Sequence, residues 1–128
     1  MRDLMMLTIP AKPEMLLVVR MALAGYCSQC GADIDTLDDI RTLADEACYF
    51  LMHQTMEAKS LSIDASRDGS LASIRFEAAY NGLTNSPASL HDPEIAYGIL
   101  GTLATDIRVK TKNGAMNAIE VDVHLGPI

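Results

Sequence analysis

Residues 61–78 read LSIDASRDGSLASIRFEA. Leu61, Ile63 and Ala65 alternate with Ser62, Asp64 and Ser66, and Ala72, Ile74, Phe76 and Ala78 alternate with Ser73, Arg75 and Glu77. A period of two marks strands with one buried and one wet face. Between them, Arg67-Asp68-Gly69-Ser70 supplies turn chemistry, because glycine takes the positive φ that tight hairpin turns need. The stretch is therefore an antiparallel hairpin, and its apolar face requires a cover.

Two helices upstream can provide that cover. Pro13 suits a first helical position and Glu14 suits the positive end of the dipole. Leu16, Val19, Leu23, Tyr26 and Cys30 then recur at three- and four-residue spacing, and Gly31 is a suitable C′ residue. A helix is expected over about Pro13–Cys30. Asp33 or Asp35 can cap the next one, whose stripe is Leu37, Ile40, Leu43, Ala47, Phe50 and Leu51, over about Thr36–Gln54.

Ahead of both, Asp3–Ile9 reads as a strand. Leu4 and Met6 point one way, Met5, Leu7 and Ile9 the other, and both sides are apolar. Either it is central in a sheet or its second face is covered, by a second subunit for example. Downstream, Tyr80–His91 reads as a loop containing Asn81-Gly82 and Pro87. Asp92-Pro93-Glu94 then starts a third helix with the stripe Ile95, Ile99, Leu100 and Leu103. A last hairpin turns at Asn113-Gly114, with Ile107 and Val109 before it and Ile119, Val121, Val123 and Leu125 after it.

The order is β-α-α-β-β-α-β-β. It predicts an α+β fold: a two-layer α/β sandwich with a mixed, mostly antiparallel sheet and three helices on one face. A length of 128 residues predicts a single domain over 1–128. Ten Lys+Arg against 17 Asp+Glu give a formal charge of -7, with no basic cluster, which argues against direct nucleic-acid binding. No apolar run suits a membrane span or a signal peptide, and three cysteines make no secreted disulfide framework, so a cytoplasmic location is expected.

Three local patterns invite chemistry. Cys27-x-x-Cys30 falls in the last turn of a helix, where the dipole opposes a thiolate, and no second paired motif completes a zinc site, so two small packing residues are favoured. Ser28, His53 and His91 lack any framing motif for a triad. Glu46 lies at the border of the second helix's buried stripe, where a raised pKa would suit a general base, although taken alone an ordinary wet charged face is the favoured account of Asp45 and Glu46.

Ile9-Pro10-Ala11-Lys12-Pro13-Glu14, the helix carrying Val18-Val19-Arg20, and Asp35-x-x-x-Asp39-Ile40 leading into Asp45-Glu46-Ala47-Cys48 together resemble bacterial anti-sigma regulatory factors. These are the serine kinases of partner-switching systems, with a histidine-kinase-like (GHKL, Bergerat) ATPase fold. The resemblance is best over residues 7–54, and the element order is similar throughout.

The resemblance implies three nucleotide motifs, and the chain departs from each. In the family's Glu-x-x-x-Asn, Glu46 matches the base but Phe50 stands where the asparagine holds Mg²⁺, and phenylalanine offers no oxygen. The adenine-reading Asp-x-Gly-x-Gly is replaced by Glu77-Ala78-Ala79-Tyr80-Asn81-Gly82, which keeps Gly82 only. The phosphate-cradling glycines are replaced by Pro93-Glu94-Ile95-Ala96, where Pro93 has no N–H and Glu94 repels a triphosphate. The former nucleotide site near Phe50, Gly82, Glu94 and Ala96 is thus expected to have lost Mg-ATP, leaving Glu46 as a relic of the base and no enzyme activity.

What remains is binding. The resemblance implies a sigma factor or an anti-anti-sigma-like antagonist as partner, met by Arg20 and Glu14, and a homodimer through Met5, Leu7 and Ile9. Two other readings stand beside it. One is an active ATP-binding serine kinase with unusual ligands. The other is a small-molecule sensor, its pocket lined by Phe50, Tyr80 and Met52.

Overall fold

The computed structural model describes residues 4–54, 56–83 and 93–125. Along the chain run β1 (Leu4–Pro10), a 3₁₀ turn (Pro13–Met15), α1 (Leu16–Gln29), α2 (Ile34–Met52), β2 (Met56–Asp68), β3 (Leu71–Leu83), α3 (Pro93–Leu100), β4 (Asp106–Lys112) and β5 (Ala115–His124). The strands form one sheet in the order β1-β2-β3-β5-β4.

Every pairing in that sheet is antiparallel, which corrects the expected mixed sheet. The reason lies in the connections. β2–β3 and β4–β5 are two-residue hairpins, and no crossover helix returns a strand parallel to its neighbour. Gly69 (φ 63°) opens the first turn, and Asn113 (φ 55°) and Gly114 (φ 79°) make the second. Two consecutive positive φ values match the right-handed twist of the flanking strands.

The alternation in 61–78 is realised in full. Leu61, Ile63, Ala65, Ala72, Ile74, Phe76 and Ala78 are buried and join Ile119 and Val121 of β5 under the helices. Phe50, Leu43, Leu51, Val19 and Leu23 cover them from α2 and α1. Each such large side chain contributes roughly 1.5–3 kcal/mol by leaving water. Ser62, Asp64, Ser73, Arg75 and Glu120 occupy the opposite, uncovered face in an antiparallel register.

Helix ends follow from their capping residues. Asp33 accepts a 2.8 Å hydrogen bond from the Thr36 N–H and starts α2, which holds its carboxyl below the ordinary range. Gly31 (φ 96°) separates α1 from α2.

Two further expectations are corrected. β3 continues through Tyr80, Asn81, Gly82 and Leu83, in register with Met56 and Ala58 of β2, so cross-strand pairing overrides the turn-like Asn81-Gly82. The rest of the expected loop, and the cap Asp92, lie outside the described residues. In α3 the buried residues are Ala96 and Leu100, whereas Ile95 and Ile99 are exposed. This short helix packs against α2 and β4, which turns its inward side by one residue from the apolar stripe.

On β1, Met5, Leu7 and Ile9 face the helices and pack against the core. The exposed apolar residues are Leu4 and Met6, 55% and 71% accessible.

Candidate functional site

Two regions concentrate the residues that the sequence points to: the C-terminal half of α2 with its surroundings, and the outer side of α1.

Glu46 lies on α2, half-buried, and makes no hydrogen bond or ion pair with any described residue. One turn later Phe50 is 1% exposed and belongs to the core. A phenyl ring has no lone pair for a hard cation, so Phe50 adds no oxygen donor one turn after Glu46. The nearest carboxamide along the chain is Gln54, and it is committed elsewhere. Its Nε2 donates to the Phe50 carbonyl at 2.8 Å, and its Oε1 accepts the Met116 N–H at 3.1 Å. It is itself 1% exposed.

Tyr80 completes this knot. Its hydroxyl donates towards the carbonyls of Leu51, at 2.9 Å, and Met116. Burial pushes the phenol above its ordinary range, so the hydroxyl stays a donor at neutral pH. The end of α2, the C-terminal part of β3 and the start of β5 are thereby tied by side-chain bonds to backbone groups. The sequence pointed to Tyr80 as a possible pocket lining and did not single out Gln54 in any role.

The other residues of the expected nucleotide site do not converge on Glu46. Gly82 lies within β3. Glu94 is exposed in the first turn of α3, while Ala96 is buried against the core. Glu77 pairs with Arg75 at 3.3 Å on the uncovered face of the sheet. A depression of about 270 Å³ near Tyr80 is lined by Met56, Glu77, Lys112, Asn113 and Asn117, and among the described residues none of α2 or α3 borders it.

On α1, Arg20 donates from Nη1 to Oδ1 of Asp45 on α2 at 2.9 Å, with both side chains partly exposed. Sequence reading placed Arg20 at a partner surface and Asp45 on a wet face, and left the two unconnected. Around Arg20, Leu17, Val18 and Met21 are exposed, and Glu14 is exposed in the preceding 3₁₀ turn. The signal for this patch was present in the sequence, because 16–24 is apolar at every position but Arg20. An apolar patch that flanks a half-tied guanidinium suits a protein partner carrying a carboxylate.

Cys27 and Cys48 are buried, and burial pushes both thiols up to about 12. They are inert packing residues at neutral pH. Among the described residues no three His, Cys, Asp or Glu side chains are grouped to hold a metal ion. No described helix is long and apolar enough to cross a membrane.

No family model matches the chain. Over 74 residues it is 31% identical to the serine-protein kinase RsbW of Bacillus pumilus (strain SAFR-032). The match covers 58% of this chain and 42% of that kinase, so the chain spans less than half the length of the curated relative it resembles.

Proposed function

We propose that this chain is a regulatory protein-binding module of the anti-sigma type, acting in cytoplasmic partner switching as a homodimer, with the nucleotide site of its relatives filled by its own side chains. The observation that carries this reading is Phe50, sealed in the core one turn after Glu46, with Gln54 and Tyr80 bonded to the backbone around it. Likeness to a serine-protein kinase supplies the class of system.

On this reading Glu46 is a relic and the working surface is the outer side of α1. Arg20, with Glu14 and the exposed Leu17, Val18 and Met21, meets a sigma factor or its antagonist. The partner's carboxylate competes with Asp45 for the guanidinium.

The test is a melting curve and a phosphotransfer assay with Mg-ATP, beside co-purification from the native host. The expected result is no nucleotide-dependent shift, no phosphotransfer, and a sigma factor or its antagonist retained. A clear Mg-ATP shift with phosphotransfer overturns the inert reading in favour of an active kinase.

A further inference from the structure

On the uncovered face of the sheet all five strands contribute to one row of side chains. The registers set Met6 beside Asp64, Asp64 beside Arg75, Arg75 beside Glu120, and Glu120 beside Arg108. From β2 to β4 the row alternates carboxylate, guanidinium, carboxylate, guanidinium, and on β1 it ends in a thioether. Opposite charges facing one another across strands attract.

The cations of this row are unevenly shared. Glu120 accepts from Arg75 Nη1 and, at 3.1 Å, from Arg108 Nε, with Lys110 Nζ 3.9 Å away. Arg75 also meets Glu77 at 3.3 Å, and Arg108 also bonds Asp106 at 2.7 Å and Asp122 at 3.1 Å. Asp64 stands opposite Arg75 yet makes no hydrogen bond or ion pair with any described residue. It is half-buried. A carboxylate that has given up part of its water and found no donor is an acceptor in excess.

Asp64 borders a depression of about 240 Å³, together with Leu4, Ser66, Ser73, Arg75 and Glu120. Ser73 donates to Asp122 at 2.9 Å, whereas the Ser66 hydroxyl is uncommitted among the described residues. Both arginines are neutralised by their own carboxylates, so nothing here favours an anion. The chain's formal -7 draws cations instead. On the β1 side, Leu4 and Met6 are 55% and 71% exposed and form an apolar floor beside the carboxylate.

We propose that this depression binds a small aliphatic cation, a guanidinium or ammonium head on a methylene stem. The head meets the Asp64 carboxylate and the Ser66 hydroxyl, and so supplies the cation that the row denies Asp64. The stem lies over Leu4 and Met6, as the stems of lysine and arginine lie along apolar surface. A hard metal ion suits the place less well, because one carboxylate and one hydroxyl offer too few oxygens and an apolar floor offers none.

The test titrates agmatine, which carries both kinds of head on a butyl stem, into the full chain at low ionic strength. Backbone amide shifts are followed by heteronuclear NMR. Saturable one-to-one binding is expected, with shifts confined to β1, β2 and β3 around Leu4, Asp64 and Ser73. Asp64→Asn keeps the shape on a wet face and should weaken binding by about tenfold or more. Asp39→Asn makes the same charge change on α2 and should leave it unchanged. Leu4→Ser should weaken agmatine but not methylguanidine, which has no stem to seat. If Asp64→Asn disturbs the amide spectrum as a whole, the Leu4→Ser comparison decides. Shifts scattered over the acidic surface, equal losses in Asp64→Asn and Asp39→Asn, or no binding at millimolar agmatine overturn the site.

Discussion

The side-chain amide of Gln54 spans from the Phe50 carbonyl at the end of α2 to the Met116 N–H at the start of β5, 2.8 and 3.1 Å away. It is one of the few polar groups in an apolar interior, and both of its ends are used. Gln54→Leu keeps the volume but removes both partners. The Met116 N–H then stays buried without an acceptor, which costs roughly 1–3 kcal/mol, and loss of the second bond adds to it. Urea denaturation should read a destabilisation of about 2 kcal/mol or more, with an unchanged m-value.

Tyr80 offers an independent check on the same knot. Tyr80→Phe keeps the ring and removes a hydroxyl shared between the Leu51 and Met116 carbonyls. A loss of about 1–2 kcal/mol is expected, since buried acceptors lose their donor. In the unmutated chain, absorbance titration should show this phenol ionising above the ordinary tyrosine range, because burial raises it.

The Arg20–Asp45 bridge joins two partly exposed side chains, and such pairs contribute at most about 1 kcal/mol. Asp45→Ala should therefore leave melting nearly unchanged while releasing the guanidinium, and should strengthen capture of a carboxylate-bearing partner. Arg20→Glu sets a carboxylate against Asp45, so it should lower stability slightly as well as abolish capture. Arg20→Ala isolates the binding effect. Pull-down and melting, measured on all three variants, separate the two contributions.

The uncovered face of the sheet makes stability depend on acid. Arg108 bonds to Asp106, Glu120 and Asp122, and Arg75 to Glu77 and Glu120. Hydrogen bonds from Arg108 hold Asp122 below its usual range. At Glu120 partial burial pushes upward, but Arg108 and Arg75 outweigh it, and the net direction is again down. A carboxyl lowered on folding binds fewer protons in the native state. Its contribution is therefore complete above the unfolded values, 3.8 and 4.5, and lost as pH falls through the folded ones. Melting temperature should be level above about pH 5 and fall below it. Arg108→Gln should flatten that fall.

The orientation of α3 can be tested by contrast. Leu100→Ala should cost roughly 2–5 kcal/mol, as buried leucines do. Ile99→Gln, at an exposed neighbour, should stay within about 0.5 kcal/mol.

How far the fold was legible depended on the range of the interactions. The 61–78 hairpin and the turn at Asn113-Gly114 are written in neighbouring residues, and both form as read. α2, whose cap and stripe are local, differs from expectation by two residues at each end. The extension of β3 to Leu83 was hidden because pairing with β2 and the anchoring of Tyr80 on Met116 override the local turn signal. β1 is apolar on both sides, so its period could not say which side meets the helices. Arg20 and Asp45 are 25 residues apart, and Gln54 and Met116 are 62 apart; nothing in either neighbourhood announces its partner.

The connectivity of the sheet also orders events in time. β2 and β3 zip from a two-residue turn, whereas Leu4 of β1 meets Ser66 of β2 only across the whole of α1 and α2. Closing that long loop is entropically slow and comes after local pairing. β1 should thus dock late, and changes in it should speed unfolding more than they slow folding. A nascent chain would complete its central hairpin and helices before its first strand is in place, so the outer edge formed by β1 appears only once the rest of the protein is built.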